Sequence, residues 1–165
     1  MYIFLFTEYT YNERKNMKNY KFWINLFLPL VLGTIVGILI NGSIDYSIVN
    51  KPPLSPSGTL FPIVWSILYF LIGLGYALYK ENYSDDDISL IYYLQLGFNL
   101  LWSIIFFSLK LRFISIIWII ILDILVIILF IKYLKTNKIS AYLLIPYILW
   151  ILFATYLNIG VYLLN

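Results

Sequence analysis

Five apolar stretches follow one another along most of this chain, each close to the length of a membrane-spanning helix. A transmembrane helix needs about 20 consecutive apolar residues. The stretches lie near residues 20–41, 60–80, 88–109, 112–131 and 140–163. Because nearly all charged residues lie at or beyond their ends, the pattern predicts an all-α integral membrane protein, a five-transmembrane-helix bundle.

The connections between these helices differ in length. The short ones lie near residues 81–87, 110–112 and 132–139. Short connections make successive helices antiparallel neighbours. The first connection, residues 42–59, is long and carries three prolines. Long loops in compact domains are usually functional or disordered, and the prolines favour an ordered lid here.

Composition supports a membrane location and removes several kinds of chemistry. Apolar residues make up 62% of the chain, and the mean hydropathy is +0.89, more than a soluble domain of this size carries. The absence of cysteine excludes disulfides and thiolate sites. The absence of histidine removes the commonest general base and the usual zinc and haem ligand. We expect no metal site, and the small net charge of +3 predicts no nucleic-acid partner.

The first 16 residues differ from the rest of the chain. Residues 1–16 are a short mixed segment that ends in charges, and Met17 follows directly. Their apolar part is far too short to span a bilayer. We predict that Met17 is the biological start, that 1–16 is an extension that is disordered or not biological, and that 17–165 is the membrane domain.

The basic residues predict the orientation in the membrane. The N-terminus and the second and fourth connections carry most of them: Lys18, Lys21, Lys80, Lys132, Lys135 and Lys138. The opposite side carries Lys51, Lys110 and Arg112. The positive-inside rule therefore predicts a multi-pass protein of the cell membrane with a cytoplasmic N-terminus. The first connection and the C-terminus would lie outside.

Aromatic and polar side chains recur at helical spacing in three of the spans. In chain order they are Phe61, Trp65 and Tyr69; Gln95, Asn99 and Trp102; and Tyr147, Trp150, Ala154 and Asn158. At these spacings the members of each set share one face of their helix. Three such faces predict a pocket for a flat or rigid apolar ligand with a few polar points.

Structural interpretations of the same residues remain open. The three amides of these faces suit hydrogen bonding between helices as well as ligand binding. Asp123 is the only acid inside a span, and a satisfied structural carboxylate is favoured over proton handling because no relay partner accompanies it. Gly33 and Gly37 favour close helix packing, within the bundle or between protomers. The sequence contains no pattern for a nucleophile–base pair, a metal cluster or a phosphate loop.

Three blocks of the sequence resemble the TspO/MBR family, the tryptophan-rich sensory proteins and the translocator protein (peripheral-type benzodiazepine receptor). Residues 51–69 read KPPLSPSGTLFPIVWSILY and resemble the family's proline-rich loop and its P-x-VW-x-x-LY motif. Residues 95–107 read QLGFNLLWSIIFF and are similar to its Q-L-x-L-N-x-x-W…FF. Residues 146–158 read PYILWILFATYLN, nearly its P-Y-x-x-W-x-x-F-A-T-x-L-N. Asp123 falls where the family has an acid in its fourth helix.

The chain departs from the family pattern at four points. In the first loop, Leu54 replaces an aromatic residue, Ser57 replaces a proline and Thr59 replaces a tryptophan. The first loop is therefore less aromatic than the family pattern. The cholesterol-recognition pattern of animal members needs a basic residue after an aromatic one in the last helix. The chain ends YLLN, so a cholesterol role is unsupported.

The resemblance implies a five-helix bundle, often a homodimer, that binds porphyrins in a cavity beneath the first loop. Members bind protoporphyrin IX and haem-type tetrapyrroles without a covalent link, and drug-like ligands of the benzodiazepine-receptor class. On this basis we expect aromatic walls from Trp65, Tyr69, Trp102, Tyr147 and Trp150. Room for the ligand is expected at Ala154, hydrogen bonds from Asn99 and Asn158, and a propionate contact at Lys51.

Three functions therefore compete with a leading one. The leading hypothesis is a membrane tetrapyrrole-binding protein that senses or regulates porphyrin levels. The first alternative is a light- and oxygen-dependent porphyrin-degrading enzyme, because Trp65 and Trp150 match tryptophans implicated in that reaction in some bacterial members. The second is a transporter of porphyrins or other amphiphiles, against which the five helices and scarce buried charge argue. The third is a sensor or scaffold that signals through a partner. The expected partners are membrane lipid, the hydrophobic ligand and a second copy of the chain.

Overall fold

Five long helices form the whole fold in a computed structural model that describes residues 2–43 and 49–165, with side chains for residues 20–43 and 49–165. The helices are α1 (Tyr2–Ile40), α2 (Leu60–Asn82), α3 (Asp86–Ser103), α4 (Arg112–Thr136) and α5 (Lys138–Leu164). A 3₁₀ turn at Asn41–Ser43 follows α1, and a π-helical turn at Ile104–Ser108 continues α3. The described residues contain no β-strand, so the predicted all-α class is confirmed.

Each helix is long and apolar enough to cross a bilayer. The five candidate spans in the described residues are Tyr20–Ser43, Leu60–Asn82, Asp86–Ser108, Arg112–Thr136 and Lys138–Leu164. They confirm the predicted five-helix membrane bundle, and their ends lie within a few residues of the predicted ones. The protein is therefore a multi-pass membrane protein, and its orientation stays a prediction.

The first helix begins earlier than the sequence analysis expected. Its backbone is helical from Tyr2, whereas the first predicted span began near residue 20. The assignment of residues 1–16 to an extension outside the membrane domain stays a prediction. The choice between Met1 and Met17 as the biological start stays a prediction.

The helices close into a ring in an order that differs from their order along the chain. α1 packs on α2, α2 on α5, α5 on α4, and α4 on α3. A smaller contact between α3 and α1 completes the ring. This order places α2, α3 and α5 around one interior, and so it brings the three predicted polar and aromatic faces together.

Side-chain caps explain where two of the helices begin. The Asp85 carboxylate accepts hydrogen bonds from the backbone N–H of Asp87 at 2.9 Å and Ile88 at 3.3 Å. The Asn137 side chain accepts in the same way from Ile139 at 3.1 Å and Ser140 at 3.3 Å. Each cap satisfies N–H groups that a helix leaves unpaired in its first turn. The short α2–α3 and α4–α5 connections therefore supply the N-cap residues at which α3 and α5 begin.

A glycine sets the close approach of α1 and α2. An ideal Cβ atom built on Gly73 would overlap the backbone carbonyl oxygen of Leu26. The backbone of α2 therefore lies directly against the backbone of α1. Apolar side chains gain little by leaving lipid for a neighbouring helix, so close contact of this kind is a main source of helix association in membranes.

We expect Gly73→Ala to destabilise the bundle, because the added methyl group cannot fit unless α1 and α2 separate. Forced overpacking of this kind costs about 1–3 kcal/mol, which would lower the midpoint of thermal unfolding in detergent. Gly97→Ala is the matched control, since a Cβ there meets no atom within 4 Å. Its midpoint should stay or rise, and equal destabilisation by both substitutions would contradict the assignment of Gly73.

Candidate functional site

The later part of the first connection, residues 49–59, covers one end of the bundle, and we call it the lid. Pro52 packs on α5 at Gly160, where an added Cβ would lie 2.6 Å from the proline ring. The Tyr156 hydroxyl donates to the backbone carbonyl oxygen of Pro53 at 2.9 Å. Both contacts join the lid to α5. Glycine is needed at position 160 because any side chain would push Pro52 away.

A second attachment ties the start of the lid to the end of the chain. The Asn50 backbone N–H donates to the Asn165 side-chain oxygen at 3.0 Å, and the Asn165 amide donates to the Asn50 carbonyl at 2.9 Å. Beyond it, the Ser55 N–H donates to the Pro52 carbonyl at 3.3 Å. Leu54 lies in this turn with φ 65°. Residues 49–59 thus contain an ordered turn, and residues 44–48 of the predicted lid lie outside the described residues.

A cavity of about 450 Å³ lies beside the lid, and we call it the large cavity. Its walls come from α1, from the start of α2, and from the π-helical turn after α3. Trp65 and Tyr69 of α2 face it together with Phe107, and Gly58 of the lid contributes to its rim. Small-molecule sites usually measure about 300–1,000 Å³ and are lined mostly by apolar groups. The large cavity meets both criteria.

The two glycines of α1 have different surroundings in this wall. A Cβ on Gly33 would overlap the ring of Tyr69, so this glycine lets the ring lie against the backbone of α1. A Cβ on Gly37 would meet no atom within 4 Å, and Gly37 lines the large cavity. One glycine therefore serves packing within the chain, and the other leaves space.

A second, smaller cavity of about 60 Å³ lies under the lid on the α5 side, and we call it the small cavity. Phe61 and Phe107 line both cavities and so stand between them. The polar and small residues of its wall, contributed by the lid, α3, α4 and α5, are Lys51, Ser55, Trp102, Arg112, Ala154 and Asn158. Several residues that the sequence analysis assigned to one pocket therefore divide between two.

A chain of buried hydrogen bonds forms the interior behind the large cavity. The Tyr69 hydroxyl donates to the Asn99 side-chain oxygen at 2.7 Å. The Asn99 amide donates to the Tyr147 hydroxyl at 3.0 Å, and that hydroxyl donates to the Gln95 side-chain oxygen at 3.0 Å. The four residues are buried and link α2, α3 and α5. We call them the Tyr69–Gln95 chain, and it holds the Tyr69 ring in the cavity wall.

Trp65 lies at the centre of an aromatic cluster. Its ring centroid lies 5.4 Å from that of Tyr69, 6.2 Å from Trp102 and 6.3 Å from Tyr147. Trp150 lies farther back, with its ring 6.0 Å from Phe61, and it lines neither cavity. Trp65 is therefore the tryptophan in the wall of the large cavity, and Trp150 reaches the two cavities through Phe61.

Two polar residues of α4 form hydrogen bonds with α5. The Asp123 carboxylate accepts from the Thr155 hydroxyl at 2.8 Å and lines neither cavity. The Asn158 side-chain oxygen accepts from the Ser115 hydroxyl at 3.0 Å. Both bonds join α4 to α5 inside the bundle. Asp123 therefore has a structural partner, whereas Asn158 combines such a bond with a place in the small cavity.

Sequence reasoning missed parts of both cavities. The α1 wall, with Gly37 and Thr34, carries no aromatic or amide stripe that would have marked it. Phe107 is the last residue of the 95–107 block, and the sequence analysis assigned it no role. Arg112 was used only to predict the orientation, although its position beside Lys51 across the lid end of the bundle is a signal for a shared site.

Comparison with known proteins gives consistent matches. A model described as the TspO/MBR family matches residues 25–164, a range that includes every described residue lining the two cavities. A tryptophan-rich protein TspO from Archaeoglobus fulgidus is 43% identical over 122 residues, 73% of this chain and 79% of that protein. One from Chlorobaculum tepidum is 32% identical over 125 residues, covering 73% and 78%. A tryptophan-rich sensory protein from Cereibacter sphaeroides is 28% identical over 129 residues, covering 78% and 82%.

We expect Tyr147→Phe to destabilise the protein, because it leaves the Asn99 amide and the Gln95 oxygen without their shared partner. Each unsatisfied buried polar group costs about 1–3 kcal/mol. Tyr133→Phe is the control, since the Tyr133 hydroxyl is buried and has no hydrogen-bond partner among the described residues. Thermal unfolding in detergent should show a lower midpoint for the first variant only. Equal midpoints would mean that the Tyr69–Gln95 chain contributes little.

Proposed function

This chain belongs to the TspO/MBR family, and from that premise we propose that it binds tetrapyrroles of the protoporphyrin IX and haem type within the membrane. The observation that carries the proposal is the large cavity, with Trp65 and Tyr69 in its wall and the lid at its rim. A porphyrin is flat, rigid and largely apolar. Aromatic walls suit such a ring because offset stacking adds to the burial of apolar surface. Binding of this kind would let the protein sense or regulate porphyrin levels.

The polar atoms of the large cavity suit a ligand with an apolar, neutral ring. The Thr34 hydroxyl donates to the Leu30 carbonyl at 2.7 Å, and the Ser66 hydroxyl donates to the Pro62 carbonyl at 2.8 Å. Both hydroxyl protons are therefore used within their own helices. Thr34 and Ser66 offer the cavity oxygen lone pairs, which suit the pyrrole N–H groups of a metal-free porphyrin.

The proposal extends to the drug-like ligands and the homodimer that the family resemblance implies. A rigid aromatic drug needs the same walls as a porphyrin, so it should compete for the large cavity. The dimer contact would use surfaces of the bundle that face lipid in one protomer.

Gly37→Leu tests the cavity directly, because its side chain would enter open space and compete with the ligand without disturbing a packed contact. We expect protoporphyrin IX to bind about tenfold or more weakly, which corresponds to the loss of about 1.4 kcal/mol or more. The measurement is a titration of purified protein in detergent, in the dark, followed by tryptophan quenching and the Soret band.

Gly97→Leu provides the control for that titration. Gly97 also has no atom within 4 Å of an added Cβ, but it lines neither cavity. Its affinity should match the unsubstituted protein. Unchanged affinity for Gly37→Leu would remove the large cavity from the site, and absence of saturable binding by the unsubstituted protein would refute the proposed function.

A second candidate function is the light- and oxygen-dependent degradation of the bound porphyrin. The observation that favours it is the cluster around Trp65, which would place an electron-rich indole against the pigment, with Trp102 behind it at 6.2 Å. An illuminated porphyrin transfers its energy to oxygen. Oxygen would be the oxidant that attacks the porphyrin ring, and an indole in contact with the excited pigment would donate an electron to it, without any acid–base residue.

We expect Trp65→Phe to slow the bleaching of bound porphyrin under light in air, with no pigment loss in the dark. Trp23→Phe is the matched control, because Trp23 is 54% exposed on α1 and lies outside both cavities. Absorbance of the Soret band over time gives the rates, at full occupancy of each variant. Equal rates for Trp65→Phe and the control would contradict the enzymatic candidate, and an unchanged rate for Trp150→Phe would remove Trp150 from the reaction.

A further inference from the structure

Two phenyl rings separate the large cavity from the small one. Phe61 belongs to the first turn of α2, and Phe107 belongs to the π-helical turn Ile104–Ser108. Among the described residues they are the only two that line both cavities. Neither cavity can therefore extend into the other unless one of these two rings moves or is removed.

The π-helical turn brings two successive phenyl rings to the interior. The Leu109 N–H donates to the Ile104 carbonyl at 3.0 Å, which is the longer bond spacing of a π-helix. Phe106 and Phe107 follow each other in this turn, with ring centroids 4.8 Å apart and planes at 88°. Both rings also pack on Trp102, with centroids at 5.6 Å and 6.1 Å. The Phe107 ring is thus held by two aromatic neighbours where it borders both cavities.

The residues that follow the turn hold it in place. The Arg112 Nη1 donates to the Phe106 carbonyl oxygen at 2.7 Å, and the guanidinium lies 4.5 Å from the centre of the Phe106 ring. Lys110 has φ 55°, a left-handed conformation that is unfavourable for a residue with a Cβ atom. Such conformations persist only where the surroundings enforce them, and both they and π-helical turns are frequent at functional sites. The chain therefore keeps an unfavourable backbone next to the turn that carries Phe107.

We infer that Phe107 is a specificity-determining residue of the large cavity, because its ring closes the passage to the small cavity and limits the length of the ligand. Arg112 is the positioning residue of the turn that carries this ring. The inference rests on the proposed function, since it defines which members of the proposed ligand class fit. A tetrapyrrole or another flat aromatic molecule should bind when the edge that faces Phe107 carries short substituents, and a long arm at that edge should be rejected.

Phe107→Ala tests the inference with two probes, pyrene and 1-butylpyrene, which share the ring and differ in an alkyl arm. The measured quantity is the ratio of the affinity for butylpyrene to the affinity for pyrene, from pyrene fluorescence in detergent. Partition of the probes into micelles is the same for every variant, so it cancels when the ratios are compared. Without the ring, the arm can fill the vacated space and enter the small cavity, and filling such a void should raise the ratio about tenfold over the unsubstituted protein.

Phe113→Ala is the matched control, because it removes the same ring from α4 at a position that is 57% exposed and lines neither cavity. Its ratio should equal that of the unsubstituted protein. Phe107→Leu keeps an apolar side chain for packing and should give an intermediate ratio, so the test does not depend on the stability of the alanine variant. An unchanged ratio in both Phe107 variants would overturn the inference, and so would an equal rise in Phe113→Ala.

Arg112→Gln tests the positioning role. The loss of both contacts with Phe106 should let the Phe107 ring shift and raise the ratio in the same direction. Arg112→Lys keeps a cation and N–H donors, so it should restore part of the discrimination. A merely structural role would weaken the binding of both probes together and leave the ratio unchanged, and that result would refute the positioning role of Arg112.

Protoporphyrin IX separates this inference from the proposed function. If the unsubstituted protein binds the porphyrin but the ratio stays the same in the Phe107 variants, the inference fails and the proposed function stands. If the porphyrin does not bind but the ratio rises as expected, the proposed function is refuted and the role of Phe107 is supported. Failure of both pyrenes to bind any variant would overturn the inference, because the large cavity would then accept no flat aromatic ring.

Discussion

The Tyr69–Gln95 chain of hydrogen bonds is the interaction on which the site depends. In a bilayer, burial of apolar surface between helices gives little driving force, so polar links and close backbone contacts must specify the arrangement. Here one tyrosine of α2, two amides of α3 and one tyrosine of α5 form an unbroken series of donors and acceptors. The series sets the rotation of these helices relative to one another. The Tyr69 ring that it holds lies against Gly33, and both residues line the large cavity.

The lid is placed by contacts that flank its charged residue on both sides. Asn50 is tied to Asn165, and Pro52 is seated on Gly160. Lys51 lies in the chain between these two attachments. The position of a cation in the small cavity therefore depends on the last turns of the last helix, which itself contributes the opposite wall. The lid and α5 together form the wall of the small cavity, so the cavity is not complete without the lid.

The sequence predicted the five helices and the inward faces of α2, α3 and α5 more successfully than it predicted which residues line the two cavities. Span length and helical spacing are local properties, so the five helices and the shared faces of Trp65 with Tyr69 and of Gln95 with Asn99 could be identified directly. Which residues meet across helices depends on the ring order, in which α5 separates α2 from α4. Trp150 shares a helix face with Ala154, yet its ring packs on Phe61 and lines neither cavity. Helical spacing predicts the face on which a residue lies, but it does not predict which side chain of a neighbouring helix that residue contacts.

The departures of the lid from the family pattern fall outside the walls of both cavities. Leu54 is 82% exposed, and its backbone has φ 65°, so its side chain points away from the bundle in a turn where an aromatic ring would also be exposed. The hydroxyls of Ser57 and Thr59 lie 3.1 Å apart at the surface. The lid residues that do line a cavity include Lys51 and Gly58. Loss of the aromatic lid residues therefore leaves the walls of both cavities unchanged.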